Sequence, residues 1–144
     1  MKKIIPFYAL IILVAFASCK KEDNKPKTKS DFLTSGTWSV TAVTSDDDGD
    51  GTYETNDFAD FVACYKDNFY SFHADGIWEL NEGPTKCEDI DPQTDTDHWQ
   101  LTNNETNIIL ATDTYIIQEL TNMSLVIKLV LDDNRSSLVT FTKR

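Results

Sequence analysis

The sequence predicts an all-β fold, specifically an eight-stranded antiparallel up-and-down β-barrel with one short helix after the first loop. Short runs rich in Trp, Val, Ile, Phe, Tyr and Thr recur about every ten residues from Thr37 onward. Turn signals such as Asp-Gly, Asn-Asn and Asn-Met separate these runs. Consecutive short strands joined by tight turns favour a meander, and closing it into a barrel removes exposed strand edges.

Eight strand segments can be assigned along the chain. They are Thr37–Thr44, Asn68–Ala74, Gly76–Asn81, His98–Thr102, Asn107–Thr112, Thr114–Leu120, Ser124–Leu131 and Ser136–Thr142. In the seventh segment Leu125, Ile127 and Leu129 share one face and Lys128 lies on the other, which is the alternation of a half-buried strand. Asp75-Gly76 is a hairpin signal that needs a positive φ.

One segment breaks the strand period. Four apolar residues, Phe58, Phe61, Val62 and Tyr65, are spaced i, i+3, i+4 and i+7. This spacing predicts a short amphipathic helix from Asp57 to Tyr65. The helix is expected to cover one end of the barrel, and a lid that gates a ligand would have the same pattern.

The amino terminus of this 144-residue chain is typical of a secretory signal peptide, residues 1–18. Lys2 and Lys3 precede an apolar run from Ile4 to Ala17, and small residues follow before Cys19. That run is shorter than the roughly 20 residues needed to span a bilayer, the competing interpretation. Residues 19–31 are mostly polar and predict a flexible tether, so the folded domain is expected to be 32–144.

The charge of the chain is unevenly distributed. Seven of the 13 basic residues precede Phe32, together with three of the 24 acidic residues. The segment 32–144 therefore has six basic and 21 acidic residues, a net charge of −15. A phosphate backbone would repel such a domain, which argues against nucleic acid as a partner and makes a cation the more natural small partner.

Two short motifs near the amino terminus resemble those of bacterial lipoproteins. Phe16-Ala17-Ser18-Cys19 resembles a lipobox, which implies that the chain is acylated at Cys19 and cut before it. A free cysteine after an ordinary signal peptide is the alternative. Lys21-Glu22-Asp23 resembles the surface-export signal of Bacteroidetes lipoproteins, although a solvated linker is a simpler interpretation. The resemblance implies an outer membrane lipoprotein that faces the cell surface or the periplasm.

The start of the first strand, Ser35-Gly36-Thr37-Trp38, resembles the Gly-x-Trp motif of lipocalins. The wider pattern is similar to the lipocalin-like domain of Bacteroidetes lipoproteins. It is carried by Ser35–Trp38, the acidic first loop, Ala63–Asn68, Phe72–Gly76, Glu82–Cys87, Asp91–Thr94, Trp99–Leu101 and Ile117–Leu120. The resemblance implies a lipocalin-like barrel with Trp38 at its closed end, and it names no ligand.

Two cysteines, Cys64 and Cys87, remain once Cys19 is assigned to lipid. An even number of cysteines in an exported domain predicts a disulfide, which should contribute roughly 3 kcal/mol by closing its loop. A two-cysteine metal site and a catalytic thiol are the alternatives. Both are weaker, because no histidine lies near either cysteine in sequence and a thiol nucleophile needs reducing conditions and a base.

The strongest chemical motif is the acidic loop from Asp46 to Asp57. Its spacing resembles an EF-hand calcium loop, with a glycine, Gly51, at position 6. The candidate ligands, at positions 1, 3, 5, 7, 9 and 12, are Asp46, Asp48, Asp50, Thr52, Glu54 and Asp57. Calcium needs six to eight hard oxygen ligands, so we expect a structural calcium site. The alternative is a solvated acidic hairpin loop.

No sequence motif indicates catalysis. The chain has no Gly-x-Ser-x-Gly elbow, phosphate loop or His-Glu-x-x-His sequence, and His73 and His98 are isolated from each other. We therefore expect a non-catalytic binding or accessory module that carries a small apolar ligand, with aromatic residues lining its cavity. Candidates for that lining are Phe69, Tyr70, Trp78 and Trp99. The alternative is a filled barrel that contacts a protein or glycan.

Overall fold

The computed structural model describes residues 26–131 and 134–144. The predicted signal peptide and Cys19 lie outside these residues. The helices are α1 (Lys29–Thr34), α2 (Asp57–Asp60) and α3 (Ala63–Lys66). The strands are β1 (Thr37–Asp46), β2 (Thr55–Asn56), β3 (Phe69–Phe72), β4 (Ile77–Asn81), β5 (Thr94–Thr102), β6 (Asn107–Leu110), β7 (Asp113–Leu120), β8 (Ser124–Val130) and β9 (Ser136–Lys143).

The strands form one antiparallel sheet in which neighbours in sequence are neighbours in space. The order is β2-β1-β3-β4-β5-β6-β7-β8-β9, and β1 also pairs with β9 along its whole length, from Trp38 opposite Lys143 to Asp46 opposite Ser136. This last pairing closes a ring of eight strands. The predicted all-β, antiparallel, up-and-down architecture with a closed sheet is therefore confirmed.

The ring has the eight strands that the sequence predicts, and the described residues contain a ninth, short strand outside the ring. The additional strand, β2, is a pair of residues in the first loop that bond to Thr44 and Ser45 of β1. A two-residue strand is too short to show the alternation on which sequence assignment depends. Strand β5 also begins at Thr94, four residues before the predicted start, because polar residues 94–97 pair with β4.

The single helix predicted from Asp57 to Tyr65 is wrong. Two isolated turns, α2 and α3, replace it, and Phe61 and Val62 between them are extended, with ψ of 139° and 154°. Strand β1 pairs with β3 only through Thr37 and Trp38, so the middle of β1 has no strand neighbour on that side. The α2–α3 segment packs against β1 there, and its break lets the Phe61 side chain reach the interior.

Helix α1 is not predicted by the sequence and begins at Lys29, three residues before the expected domain boundary. A capping box holds its first turn: the Asp31 amide donates to the Thr28 hydroxyl over 3.1 Å, and the Thr28 amide donates to the Asp31 carboxylate over 2.7 Å. Leu33 on this helix is fully buried. The helix therefore belongs to the folded domain rather than to the tether.

The core lies inside the closed sheet. Its buried apolar residues are Leu33, Trp38, Phe72, Trp99, Ile108, Leu125, Ile127 and Phe141. They come from α1 and from β1, β3, β5, β6, β8 and β9, so residues that are distant in sequence pack together in the core. Within the described part of the chain, no helix has the length and apolar character required to cross a membrane.

Candidate ligand cavity and acidic loop

The two ends of the closed sheet differ, as its up-and-down order requires. One end, which we call the α1 end, holds α1 and the start of β1. The other, the acidic end, holds the connections 47–68, 82–93 and 111–112. The acidic loop, the disulfide and the mouth of an internal cavity all belong to the acidic end.

The α1 end is closed by Trp38, which is fully buried and begins the core at the predicted Gly-x-Trp motif. Its indole Nε1 donates to the carbonyl oxygen of Leu33 over 2.9 Å. The ammonium group of Lys143 lies 4.6 Å from the Trp38 ring centroid and donates to the Phe32 carbonyl over 3.1 Å. Hydrogen bonds from Trp38 and Lys143 to the carbonyl oxygens of Leu33 and Phe32 thus hold helix α1 across this end.

Between the ends lies a cavity of about 390 Å³. Its lining residues are Val40, Val43, Phe61, Tyr70, Phe72, Trp78, Leu110, Ala111, Asp113, Tyr115, Ile127, Val139 and Phe141. Phe61, Ala111 and Asp113 are also exposed to solvent, and they mark the mouth. Phe61 reaches the cavity beside β1, whereas Ala111 and Asp113 lie across the ring, where the chain turns from β6 into β7.

The polar groups of the lining residues are one carboxylate, two phenols and the indole N–H of Trp78, which is buried and has no hydrogen-bond partner among the described residues. Asp113 and Tyr115 alternate along β7, so both side chains face inward. Burial raises the pKa of Tyr115, and the nearby Asp113 carboxylate raises it further. Burial likewise raises the pKa of Tyr70, with a further contribution from Tyr115. Both phenols are therefore neutral near pH 7 and able to donate and accept hydrogen bonds.

The cavity only partly follows the sequence prediction for its lining. Tyr70 and Trp78 line it as expected, whereas Trp99 is a core residue and Phe69 lies under the guanidinium of Arg144 at 5.2 Å. Asp113 and Tyr115 were missed. Tyr115 alternates with Ile117 on the predicted strand Thr114–Leu120, which was the available signal, whereas Asp113 lies one residue before that strand.

The predicted disulfide between Cys64 and Cys87 is confirmed, with a Cα–Cα distance of 5.3 Å. It joins α3 to the connection between β4 and β5. Gly83 lies in the same connection with a φ of 68°, and a Cβ atom there would come within 2.5 Å of the Asp67 carbonyl oxygen. The segment that carries Phe61 is consequently held against the rest of the acidic end.

The acidic loop brings three of the predicted metal ligands together. Carboxylate oxygens of Asp46, Asp48 and Asp50 lie within 4.8 Å of one another. Asp46 is 2% exposed, and its two oxygens accept hydrogen bonds from the amides of Gly49 and Gly51 over 2.7 and 3.1 Å. Asp48 and Asp50 are exposed and accept from amides two residues further on. Among the described residues, this is the only such group of potential metal ligands.

The other three predicted ligands occupy different surroundings. The Asp57 carboxylate accepts a hydrogen bond from the Ser45 hydroxyl at the start of α2. Glu54 is exposed, and the amide of Thr52 donates to Asp50 over 2.7 Å. The first half of the predicted calcium loop is thus assembled around Asp46, whereas Asp57 connects β1 to α2.

Within residues 26–131 and 134–144, neither histidine belongs to a group of potential metal ligands. His73 and His98 are both exposed, and the His73 carbonyl accepts a hydrogen bond from the indole of Trp99 over 3.0 Å. His98 lies in β5 opposite Ile77 of β4. These positions are ordinary for strand and turn histidines.

The sequence matches no protein-family model and no curated protein. Among solved structures, it is similar to the crystal structure of a lipocalin-like protein from Bacteroides uniformis. The TM-score is 0.47 and the sequence identity 17%, over an alignment that covers 78% of this chain and 99% of that chain.

Proposed function

We propose that the protein is a non-catalytic binding module that holds a small apolar ligand inside its closed sheet. The observation that supports this most directly is the cavity of about 390 Å³. Small-molecule sites typically enclose about 300–1,000 Å³ and are mostly apolar, with a few polar groups. A ring of eight strands has an interior that side chains either fill or leave open for one small ligand, and here space remains among the core residues.

The ligand proposal is tested with Nile red, a neutral apolar dye that brightens on leaving water, and with the full chain carrying Cys19→Ser so that no acyl group competes. We expect saturable fluorescence that Val139→Phe abolishes, because Val139 lines the cavity opposite Val43. Thr140→Phe is the matched control, since the next residue of β9 points to the other face. Equal fluorescence from both variants would place the dye elsewhere and refute the proposal.

We also propose calcium as a structural ligand of the acidic loop. Asp46, Asp48 and Asp50 would hold the ion, and hard carboxylate oxygens are the ligands that calcium prefers. Three carboxylates this close repel one another, so a divalent cation would relieve an unfavourable interaction. The ion would order the loop that leads into α2 and then to Phe61.

The proposed location is the outer membrane, with the domain carried by lipid on Cys19 at the cell surface or the periplasmic face. The lipobox-like sequence before Cys19 supports this assignment. We expect Cys19→Ser to remove the acyl mass from the mature protein and release it from the membrane fraction. A variant that lacks Cys64 and Cys87 should remain anchored. Equal membrane association of all three proteins would refute the assignment.

A second candidate function is contact with a protein or glycan, and exposed apolar residues favour it. Val62 and Tyr65, beside the cavity mouth, are 57% and 53% exposed. A glycan array probed with wild type and with Val62→Ser plus Tyr65→Ser would test for this surface. Binding lost in the variant supports it, whereas binding that is unchanged, or absent in both proteins, counts against it.

A further inference from the structure

The charge and chemistry of the cavity wall indicate what kind of ligand it accepts. Resting on the proposed function, we propose that the ligand is a small organic cation, an amine with an apolar body. Its ammonium group would lie at the mouth beside Asp113, and its body would pack against the aromatic side chains within. Three features of the wall lead to this class of ligand.

The first feature is charge. Asp113 is the only charged residue among the thirteen that line the cavity, and the lining includes no lysine, arginine or histidine. An anionic ligand would thus meet a carboxylate at the mouth with no cation on the wall to offset the repulsion. The segment 32–144 has a net charge of −15, which adds a longer-range preference for cations.

The second feature is the aromatic content of the wall. Six of the thirteen lining residues are aromatic: Phe61, Tyr70, Phe72, Trp78, Tyr115 and Phe141. Tyr70 packs against Trp78 and Phe141 with ring centroids 5.9 and 5.5 Å apart. Aromatic faces attract cations and also accommodate apolar bodies. An amine with an apolar body therefore finds both kinds of contact on one wall.

The third feature is a pair of neutral phenol groups among the lining residues. Tyr115 lies two residues from Asp113 on the same face of β7, and the hydroxyl groups of Tyr115 and Tyr70 can both accept a hydrogen bond from an ammonium group. Their polarity gives the ligand head a second partner without adding positive charge.

The cavity volume limits the size of the ligand. At about 30 Å³ for each water molecule in the liquid, 390 Å³ corresponds to roughly 13 waters. A ligand with about a dozen non-hydrogen atoms would occupy comparable space. Phenylbutylamine, phenylbutanol and phenylpentanoate are therefore suitable probes, because each carries a phenyl ring and four methylene groups and they differ only in a cationic, neutral or anionic head.

The experiment measures binding of these three probes to the full chain carrying Cys19→Ser by isothermal titration calorimetry. We expect the amine to bind at least about fivefold more tightly than the alcohol, as for a partly exposed ion pair, and the acid to bind most weakly. Asp113→Asn should reduce the preference for the amine over the alcohol to below about twofold. Glu119→Gln is the matched control, because it removes the same charge from an exposed residue of β7 that does not line the cavity.

The outcomes separate this inference from the proposed function. If all three probes bind equally, or the acid binds best, the cavity holds ligands but the cation inference is wrong. An amine preference that survives Asp113→Asn but falls in high salt would also overturn it, since the general field of the domain would then be the cause. If no probe binds, the proposed function fails and the inference fails with it.

Discussion

The ammonium group of Lys143, at the end of β9, lies 4.6 Å above the ring of Trp38 and 2.6 Å from the hydroxyl of Ser35. The same lysine bonds the Phe32 carbonyl, so it connects the last strand to the end of α1. The indole N–H of Trp38 donates a hydrogen bond to the Leu33 carbonyl. The α1 end is therefore closed by contacts between the first and last elements of the domain.

Replacement of the tryptophan should strongly destabilise the fold. Trp38→Ala removes a fully buried indole and its hydrogen bond to Leu33, so we expect a loss of about 3–5 kcal/mol in the free energy of unfolding, measured by urea denaturation. Ile90→Ala is the control, because Ile90 is 93% exposed and should change stability by less than about 0.5 kcal/mol. Similar urea midpoints for the two variants would contradict this role of Trp38.

Gly83 should tolerate no side chain. Gly83→Ala combines a positive φ with a Cβ position 2.5 Å from the Asp67 carbonyl oxygen, so backbone must shift. We expect a loss greater than the roughly 1–2 kcal/mol that left-handed backbone alone costs. Gly51→Ala isolates that cost, because Gly51 has a φ of 92° with nothing within 4 Å of its Cβ position. Thermal melts in a calcium chelator compare the two variants, and equal losses would remove the steric explanation.

The disulfide should contribute to stability through the loop that it closes. Cys64 and Cys87 are 23 residues apart, and the chain-entropy model assigns about 3 kcal/mol to a loop of this length. We expect Cys64→Ala with Cys87→Ala to lower the urea midpoint accordingly. Addition of a reductant should lower the urea midpoint of Cys19→Ser, which retains the disulfide. It should leave the urea midpoint of the variant without Cys64 and Cys87 unchanged. A reductant that leaves Cys19→Ser unaffected would argue that the bridge contributes little.

Calcium should raise the melting temperature through the acidic loop. With a dissociation constant of about 0.1–1 mM, 10 mM calcium would stabilise the fold by about 1–3 kcal/mol. Asp48→Asn with Asp50→Asn should abolish this gain, because both carboxylates belong to the cluster around Asp46. Glu88→Gln with Asp89→Asn removes equal charge from the β4–β5 connection and should retain the gain. If calcium shifts both double variants alike, its effect is general screening of the acidic domain.

The two cavity tyrosines should make stability fall at alkaline pH. Burial raises the pKa of Tyr70 and Tyr115 in the folded protein above the ordinary value of 10.0, so the fold favours their neutral forms. The contribution of the two neutral tyrosines to the free energy of unfolding is complete below pH 10. It is lost as the pH rises from 10 through their raised pKa values. Tyr70→Phe with Tyr115→Phe should flatten this part of the stability profile, measured by urea denaturation. Tyr65 is an exposed tyrosine outside the cavity, so Tyr65→Phe should not flatten the profile. Equal stability profiles for the two variants would refute the assignment of the alkaline loss to Tyr70 and Tyr115.

Sequence reasoning succeeded where the signal is local. Alternation along a strand is visible within a few residues, so eight of the nine strands were found, and Gly76 has the positive φ that its turn signal requires. The pairing of Cys64 with Cys87 followed from the count of cysteines. Helix α1 was missed because its capping residues lie in a polar stretch and Leu33 is its one fully buried side chain.

Prediction failed where a position depends on distant contacts. The spacing of Phe58, Phe61 and Tyr65 suggests one helix, yet the unpaired middle of β1 and the disulfide at Cys64 favour two turns with Phe61 extended between them. The spacing of acidic residues in the loop likewise does not show that the Asp57 carboxylate contacts Ser45 rather than the cluster around Asp46. Its bond to Ser45 depends on how β1 leads into α2.

The sequence by itself determined the class of fold, its strand segments, the disulfide and the strong negative charge, because each depends on composition or on neighbours in the chain. The tertiary structure alone decided the register in which β1 and β9 close the ring, the contact between Trp38 and Lys143 at the α1 end, and the cavity that remains at the centre. It also brought Asp113 to the mouth of a wall built from seven strands. Cavity shape depends on how side chains from distant strands fill a common volume, and no pattern within one segment of the sequence predicts that packing.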